Sequence, residues 1–151
     1  MSIAVIYTDL DGTLLDHHTY SFEAALETVH ALRDRGIPIV PCTSKTRAET
    51  AELMNAAGLS GPMIVENGAA IWVPNDWGLS RPAGAEDTPE AWCHSFGPSR
   101  GMIRRQLAIL NVEWGNRYQS LCDLSDKQVM AITGLDAESA ARAKDRRYCE
   151  T

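Results

Sequence analysis

From residue 3 to residue 8 the chain reads Ile-Ala-Val-Ile-Tyr-Thr, an apolar run rich in β-branched residues and without alternation. Such a run predicts a strand covered on both faces, because a half-exposed strand alternates. From Phe22 the period changes. Phe22, Leu26, Val29 and Leu32 recur at helical spacing, with Ser21 as a cap and Gly36 as the stop. A second buried strand is expected over 37–42. Pro38 suits its first position, while Pro41 removes a ladder donor and implies an irregular end. Thr46-Arg47-Ala48-Glu49 has the spacing of a capping box and opens a second helix that runs to Gly58. Met63-Ile64-Val65 is a third short apolar strand. Strand, helix, strand, helix, strand at this spacing predicts an α/β unit with a parallel sheet and right-handed crossovers.

After Asn67-Gly68 the regularity breaks. Residues 74–90 hold Pro74, Gly78, Pro82, Gly84 and Pro89, a loop-rich passage. Helical patterns return around 100–110, over 125–133 and over 136–147. Ser125 and Asp136 are plausible caps for the last two, which Gly134-Leu135 separates. A parallel α/β unit to about residue 70 is therefore followed by a different module.

Composition narrows the class without choosing the chemistry. Hydrophobic residues make up 44% and charged residues 23%, the balance of an ordinary globular protein. Lys plus Arg number 14 against 20 Asp plus Glu, a formal charge of −6, which argues against nucleic acid as a partner. No apolar run approaches the roughly 20 residues needed to span a bilayer. Asp9 and Asp11 follow the first apolar stretch too soon for a signal peptide, so no membrane role is expected. Cys42, Cys93, Cys122 and Cys149 form no C-x-x-C pair, which fits a reducing cytoplasm better than a disulfide or zinc framework.

The chemistry concentrates in Thr8-Asp9-Leu10-Asp11-Gly12-Thr13-Leu14-Leu15, where the first strand ends. Ligands of open parallel sheets bind outside the carboxyl ends of the strands. Asp9 and Asp11, two apart on an extended segment, point to the same side. Neighbouring carboxylates repel, and a cation is the usual remedy. An Asp pair before glycine is also a common plain turn. A calcium loop fits poorly, since Gly12 falls at the fourth loop position and no Glu stands at the twelfth. A solvated surface pair is the third alternative.

Asp9-Leu10-Asp11-Gly12-Thr13-Leu14 after an apolar strand resembles the first signature of the haloacid dehalogenase superfamily of phosphotransferases. Thr43, closing the strand Ile39-Val40-Pro41-Cys42, resembles the second. The resemblance implies a Rossmann-like parallel sheet core with an inserted α+β cap. It also implies that Asp9 is the nucleophile that accepts a phosphoryl group and Asp11 the general acid/base, with Mg2+ held by Asp9 and Asp11 through one side chain and one carbonyl. An activated carboxylate can carry a phosphoryl group, and magnesium can neutralise the developing charge.

Within the superfamily, Thr43-Ser44-Lys45-Thr46 and Ile64-Val65-Glu66-Asn67-Gly68-Ala69-Ala70-Ile71 are similar to the mannosyl-3-phosphoglycerate phosphatases. So are Leu124-Ser125, Thr133-Gly134-Leu135, the run 140–144 and Arg146-Arg147-Tyr148-Cys149-Glu150. The implied partner is a small phosphorylated sugar, converted to mannosylglycerate. Thr43, Ser44, Lys45, Asn67, Gly68 and Arg146 are then the candidate phosphate- and substrate-binding residues. Lys45 also reads as a solvated lysine at a helix entry, and Asn67-Gly68 as a tight turn. The helically spaced Arg100, Arg104 and Arg105 read as a solvated face. Trp72, Trp77, Trp92 and Trp114 are candidates for sugar stacking or for packing. His17-His18 and Cys93-His94 lack the further ligands of a zinc site.

The superfamily's later lysine and its Gly-Asp acidic cluster have no counterpart along these residues. Gly134-Leu135-Asp136 falls between expected cap helices, and Lys144 falls on one. The expectation is a core segment, 1–70, that is incomplete, followed by a cap module, 71–151, also incomplete. The length then reads as a stopping point inside a larger enzyme. A dianionic phosphate approaching two carboxylates needs compensating charge, so little or no turnover is expected of these 151 residues alone. The alternatives are a phosphatase of another sugar phosphate and a non-catalytic anion-binding remnant.

Overall fold

The computed structural model describes residues 4–151. The first expected strand is present as β1, Ile6–Thr8, whereas Ile3 lies outside the described residues. α1, Glu23–Asp34, follows, and Val29 is its buried residue. Phe22, not Ser21, stands at the helix N-cap, and it makes no side-chain capping bond. Ser21 still contributes from one position earlier, its Oγ accepting the Glu23 N–H at 3.1 Å. Gly36 adopts φ +66° just beyond the helix, a backbone that glycine takes without a side-chain clash.

β2, Ile39–Pro41, pairs in parallel with β1, Ile6 opposite Ile39 and Thr8 opposite Pro41. The parallel pair and its α1 crossover are the expected α/β unit. α2, Arg47–Ala56, opens with the full capping box: Thr46 Oγ1 accepts the Glu49 N–H, and Glu49 Oε2 accepts the Thr46 N–H. β3, Met63–Val65, meets the strand end beyond β2 through one parallel bridge, Cys42 to Ile64.

Beyond β3 the tight-turn reading of Asn67-Gly68 holds, while the individual strands that follow it are absent from the sequence reading. The chain reverses over Glu66-Asn67-Gly68 and returns as β4, Ala70–Pro74, antiparallel to β3. A second reversal brings β5, Glu86–Asp87, and β6, Ala91–Ser95, into an antiparallel sheet of order β3-β4-β6-β5. Burial along β4 and β6 does not alternate cleanly, so neither strand shows a two-residue period in the sequence. The three later helices match their patterns: α3 at Arg100–Glu113, α4 at Asp126–Thr133 and α5 at Ala137–Lys144. Ser125 completes a capping box with Gln128, and Asp136 accepts the Ser139 N–H at 2.7 Å.

Burial divides into two clusters. Val29, Ile39, Met54, Ala57 and Leu59 pack between α1, β2 and α2. Val65, Ala70, Trp72, Ala91 and Cys93 form the second, beneath Tyr148. Met63 is partly buried against both, so β3 is the seam between them. No helix among the described residues is long and apolar enough to cross a membrane.

Candidate active site

The carboxyl ends of β1 and β2 open into a cleft of about 520 Å³ lined by Asp9, Asp11, Cys42, Thr43, Ser44, Ile64, Asn67 and Gly68. Six of the expected site residues are thus drawn together from three stretches of sequence. The loop carrying the two acids is folded on itself by backbone bonds from Thr13 N and Leu15 N to the Leu10 carbonyl, 3.2 and 2.8 Å long. Leu10 and Leu15 are buried beneath it, at 1% and 2% exposure. Burying the leucine between the two aspartates turns both acids toward the cleft. Asp9 Oδ1 accepts the Leu10 N–H at 2.7 Å, which fixes the carboxylate rotamer.

The other walls are tied to this one. Cys42 N donates to the Thr8 carbonyl at 2.7 Å and Thr43 N to the Ile64 carbonyl at 3.0 Å. Asn67 N donates to the Thr43 carbonyl at 3.0 Å and Glu66 N to the Lys45 carbonyl at 2.9 Å. Thr43 is buried, and its Oγ1 accepts the Lys45 N–H at 3.2 Å. That leaves the hydroxyl proton for an oxygen in the cleft. Burial pushes the Cys42 thiol up, with Asp9 adding to the effect, so it is a neutral wall of the cleft rather than a nucleophile.

Lys45 is not a free solvated lysine. Its Nζ lies 3.0 Å from Asp11 Oδ2 and 5.9 Å from the centroid of the Tyr20 ring. Tyr20 sits at φ 54°, where a bulky residue is rarely found. Lys45, Tyr20 and Asp11 border an adjoining cavity of about 460 Å³, closed on its far side by Thr133, Gly134, Leu135, Ser139 and Arg142. Residues from both halves of the chain therefore face one another across the acids.

Arg146 is not among the residues lining either cavity. Its Nη1 donates to the Ser44 carbonyl at 3.1 Å and approaches Cys149 Sγ at 3.0 Å, behind the cleft wall. Glu150 is likewise structural. Its carboxylate, 1% exposed, takes Arg100 Nε at 2.9 Å and Ser120 Oγ at 2.6 Å, with Arg104 Nε at 3.6 Å. The arginines expected to form a solvated face are thus partly spent on a buried acid. Trp72 and Trp92 are packing residues, 4% and 7% exposed, and Arg47 stacks on the Trp72 ring at 4.5 Å. Lys144 Nζ is held by the Leu124 carbonyl at 2.9 Å and Asp126 at 2.7 Å, away from the acids.

Sequence reasoning gave Glu66 no part. It is 1% exposed, and its carboxylate accepts the N–H groups of Arg147, Tyr148 and Cys149 at 2.9, 2.8 and 2.8 Å. No local pattern signals a contact between residues this far apart in the chain.

The donor set suits magnesium in kind. Asp9 and Asp11 offer hard oxygen ligands, and Asp11 Oδ1 is buried without a hydrogen-bond partner. Magnesium is commonly held by one or two carboxylates, with waters and substrate oxygens completing the shell. Among the described residues no group of three or more His, Cys, Asp or Glu converges as a metal site.

The haloacid dehalogenase-like hydrolase family matches residues 6–86, which run from β1 to the first residue of β5 and carry every residue of the acid cleft. The chain belongs to that family. It is 38% identical over 97% of its length to a glucosyl-3-phosphoglycerate/mannosyl-3-phosphoglycerate phosphatase of Methanococcoides burtonii, covering 54% of that relative. A protein of the same description from Persephonella marina is 32% identical over 97% of this chain, with 53% of it covered. The chain spans about half the length of these curated relatives.

Among solved structures, a haloalkanoate-superfamily phosphatase from Bacteroides thetaiotaomicron aligns with a TM-score of 0.55 at 20% identity, over 97% of this chain and 54% of that one. A haloacid dehalogenase-like hydrolase from B. subtilis aligns with 0.51 at 20% identity, over 93% and 50%. These two establish a shared α/β fold.

Proposed function

We propose that the chain carries the nucleophile half of a phosphatase acting on a hexosyl-3-phosphoglycerate, with mannosyl and glucosyl esters as the substrate class. The observation that carries this reading is the single cleft that joins Asp9, Asp11 and Thr43, with the Lys45 ammonium 3.0 Å from Asp11. The names of the two curated relatives support the substrate class.

Asp9, its Oδ1 held by the Leu10 amide, attacks phosphorus while the bond to the ester oxygen breaks. Asp11 gives its proton to the departing alkoxide, and the phosphoryl group stays on Asp9 as an acyl phosphate. Water then attacks phosphorus, Asp11 takes its proton, and cleavage of the P–O bond to Asp9 releases phosphate and restores the carboxylate. Thr43 Oγ1 donates to a phosphoryl oxygen, and Lys45 alternates between Asp11 and the incoming anion. Ser44, Asn67 and Gly68, which line the same cleft, border the phosphoryl group. Magnesium held by Asp9 and Asp11 would neutralise part of the phosphate charge.

We read a core part to about residue 70 and a cap part beyond it, with the hexosylglycerate side of the substrate entering the 460 Å³ cavity lined by residues of both. Among the described residues Lys45, paired with Asp11, is the cation that meets a catalytic acid, and Asp9 has no such partner, so turnover by these 151 residues is slow.

Single-turnover assays at stoichiometric protein, across mannosyl-3-phosphoglycerate, glucosyl-3-phosphoglycerate and simple hexose phosphates, test the reading. Phosphate release is expected to be fastest with the first two and to vanish in Asp9→Asn. Equal release by wild type and Asp9→Asn would refute it. Preference for a hexose phosphate would move the chain to another substrate within the same family.

A further inference from the structure

Glu66 is a buried carboxylate to which the reaction above assigns nothing. Burying a carboxylate is costly unless hydrogen bonds replace its water. Here Oε1 takes the Arg147 N–H and Oε2 takes those of Tyr148 and Cys149, three successive amides converging on one anion. The backbone at Glu66 is also unusual: Glu66 and Asn67 adopt φ 51° and 62° in sequence. A left-handed conformation at a non-glycine residue costs about 1 kcal/mol or more, and it persists where surrounding contacts over-determine it.

Those contacts run in two directions. Through its backbone the turn grips the phosphate-side loop, Glu66 N to the Lys45 carbonyl and Asn67 N to the Thr43 carbonyl. Through the Glu66 side chain it grips the turn at 147–149. Arg146, one residue before that turn, completes the circuit by donating Nη1 to the Ser44 carbonyl at 3.1 Å. A second tie runs parallel to it, from Thr46 Oγ1 to the Arg142 carbonyl at 2.9 Å.

We propose that Glu66 is a positioning residue: by fixing the 147–149 turn it seats the Arg146 guanidinium against the Ser44 carbonyl, at the back of the cleft formed by Asp9, Asp11 and Thr43. Arg146 then adds positive potential to the loop beside Asp9 and Asp11, without touching the phosphate. The seating of Arg146 stands on this geometry alone. Its effect on anion binding rests on the phosphatase reading.

The test separates the two. In 15N-arginine-labelled chain, the buried Arg146 Nε–H is expected to exchange slowly with water, and Glu66→Gln is expected to speed that exchange at least about tenfold. Val29→Ala, a cavity in the other cluster, is the control for plain destabilisation and should leave it slow. Calorimetry with inorganic phosphate gives the second readout. Glu66→Gln and Arg146→Ala should weaken binding to a similar degree, and the double variant no further, since both remove the same charge placement. Unchanged Nε–H exchange in Glu66→Gln, or equally fast exchange in Val29→Ala, would overturn the assignment, as would additive losses in the double variant. If Glu66→Gln does not fold, Glu66→Asp, which withdraws the carboxylate by one methylene, is read by the same criteria. Failure of the wild-type chain to bind phosphate would count against the phosphatase reading, while the exchange comparison would still decide the role of Glu66.

Discussion

Lys45 Nζ stands 3.0 Å from Asp11 Oδ2, joining the loop after β2 to the loop after β1. The lysine side chain is 20% exposed and the aspartate 38%, so the pair is partly screened and contributes modestly to folding. Its larger consequence is for anion binding, because an ammonium group beside two carboxylates offsets their repulsion of phosphate.

Lys45→Ala is therefore expected to weaken inorganic phosphate binding about tenfold, in keeping with loss of one charge-assisted bond. Calorimetry in low and high salt checks this, and the gap between wild type and variant should narrow as salt rises. Equal affinity in both proteins would remove Lys45 from the site.

Thr46 serves two masters: its Oγ1 accepts the Glu49 N–H at the start of α2 and donates to the Arg142 carbonyl at the end of α5. Thr46→Ala is expected to cost about 1–2 kcal/mol from the cap, with a further loss from the carbonyl left unpaired. Thr46→Ser should recover most of it. Urea unfolding of the three proteins measures the difference.

Burial by itself would raise the Glu150 carboxyl, but bonds from Arg100 and Ser120 and the charges of Arg100 and Arg104 outweigh it and hold Glu150 below its usual value of 4.5. A carboxyl lowered by folding contributes stability that is full above its unfolded value and is lost as pH falls through the folded one. Wild type should therefore exceed Glu150→Gln in urea midpoint at pH 7, and the difference should shrink progressively below pH 4.5. A difference that is flat with pH would show that the ionised form gains nothing from these partners.

The parts legible in the sequence were those with local causes. The capping box at Thr46 and Glu49 and the strand-ending pair Asp9 and Asp11 are set by neighbours a few residues away. The same holds for the caps at Ser125 and Asp136. Lys45 was legible as a residue type, but its pairing with Asp11 depends on the parallel register of β1 with β2. β4 and β6 were missed because tertiary burial of Trp72, Trp92 and Cys93 stabilises them in the absence of a clear period. Arg100 looked like part of a solvated face until the fold brought Glu150 beneath it. Glu66 stood out only as one position of the 64–71 motif, and its burial was not legible, since its three partners lie on a turn far along the chain.

The central claim is that Asp9 accepts a phosphoryl group. Incubation of the 151-residue chain with acetyl phosphate and magnesium, followed by borohydride reduction and peptide mass spectrometry, tests it at the residue itself. An acyl phosphate on Asp9 would be reduced to homoserine at position 9, and that conversion should be lost in Asp9→Asn and retained in Lys45→Ala at a lower yield. Conversion at Asp11 instead, or none at position 9 in a chain that binds phosphate, would contradict the account.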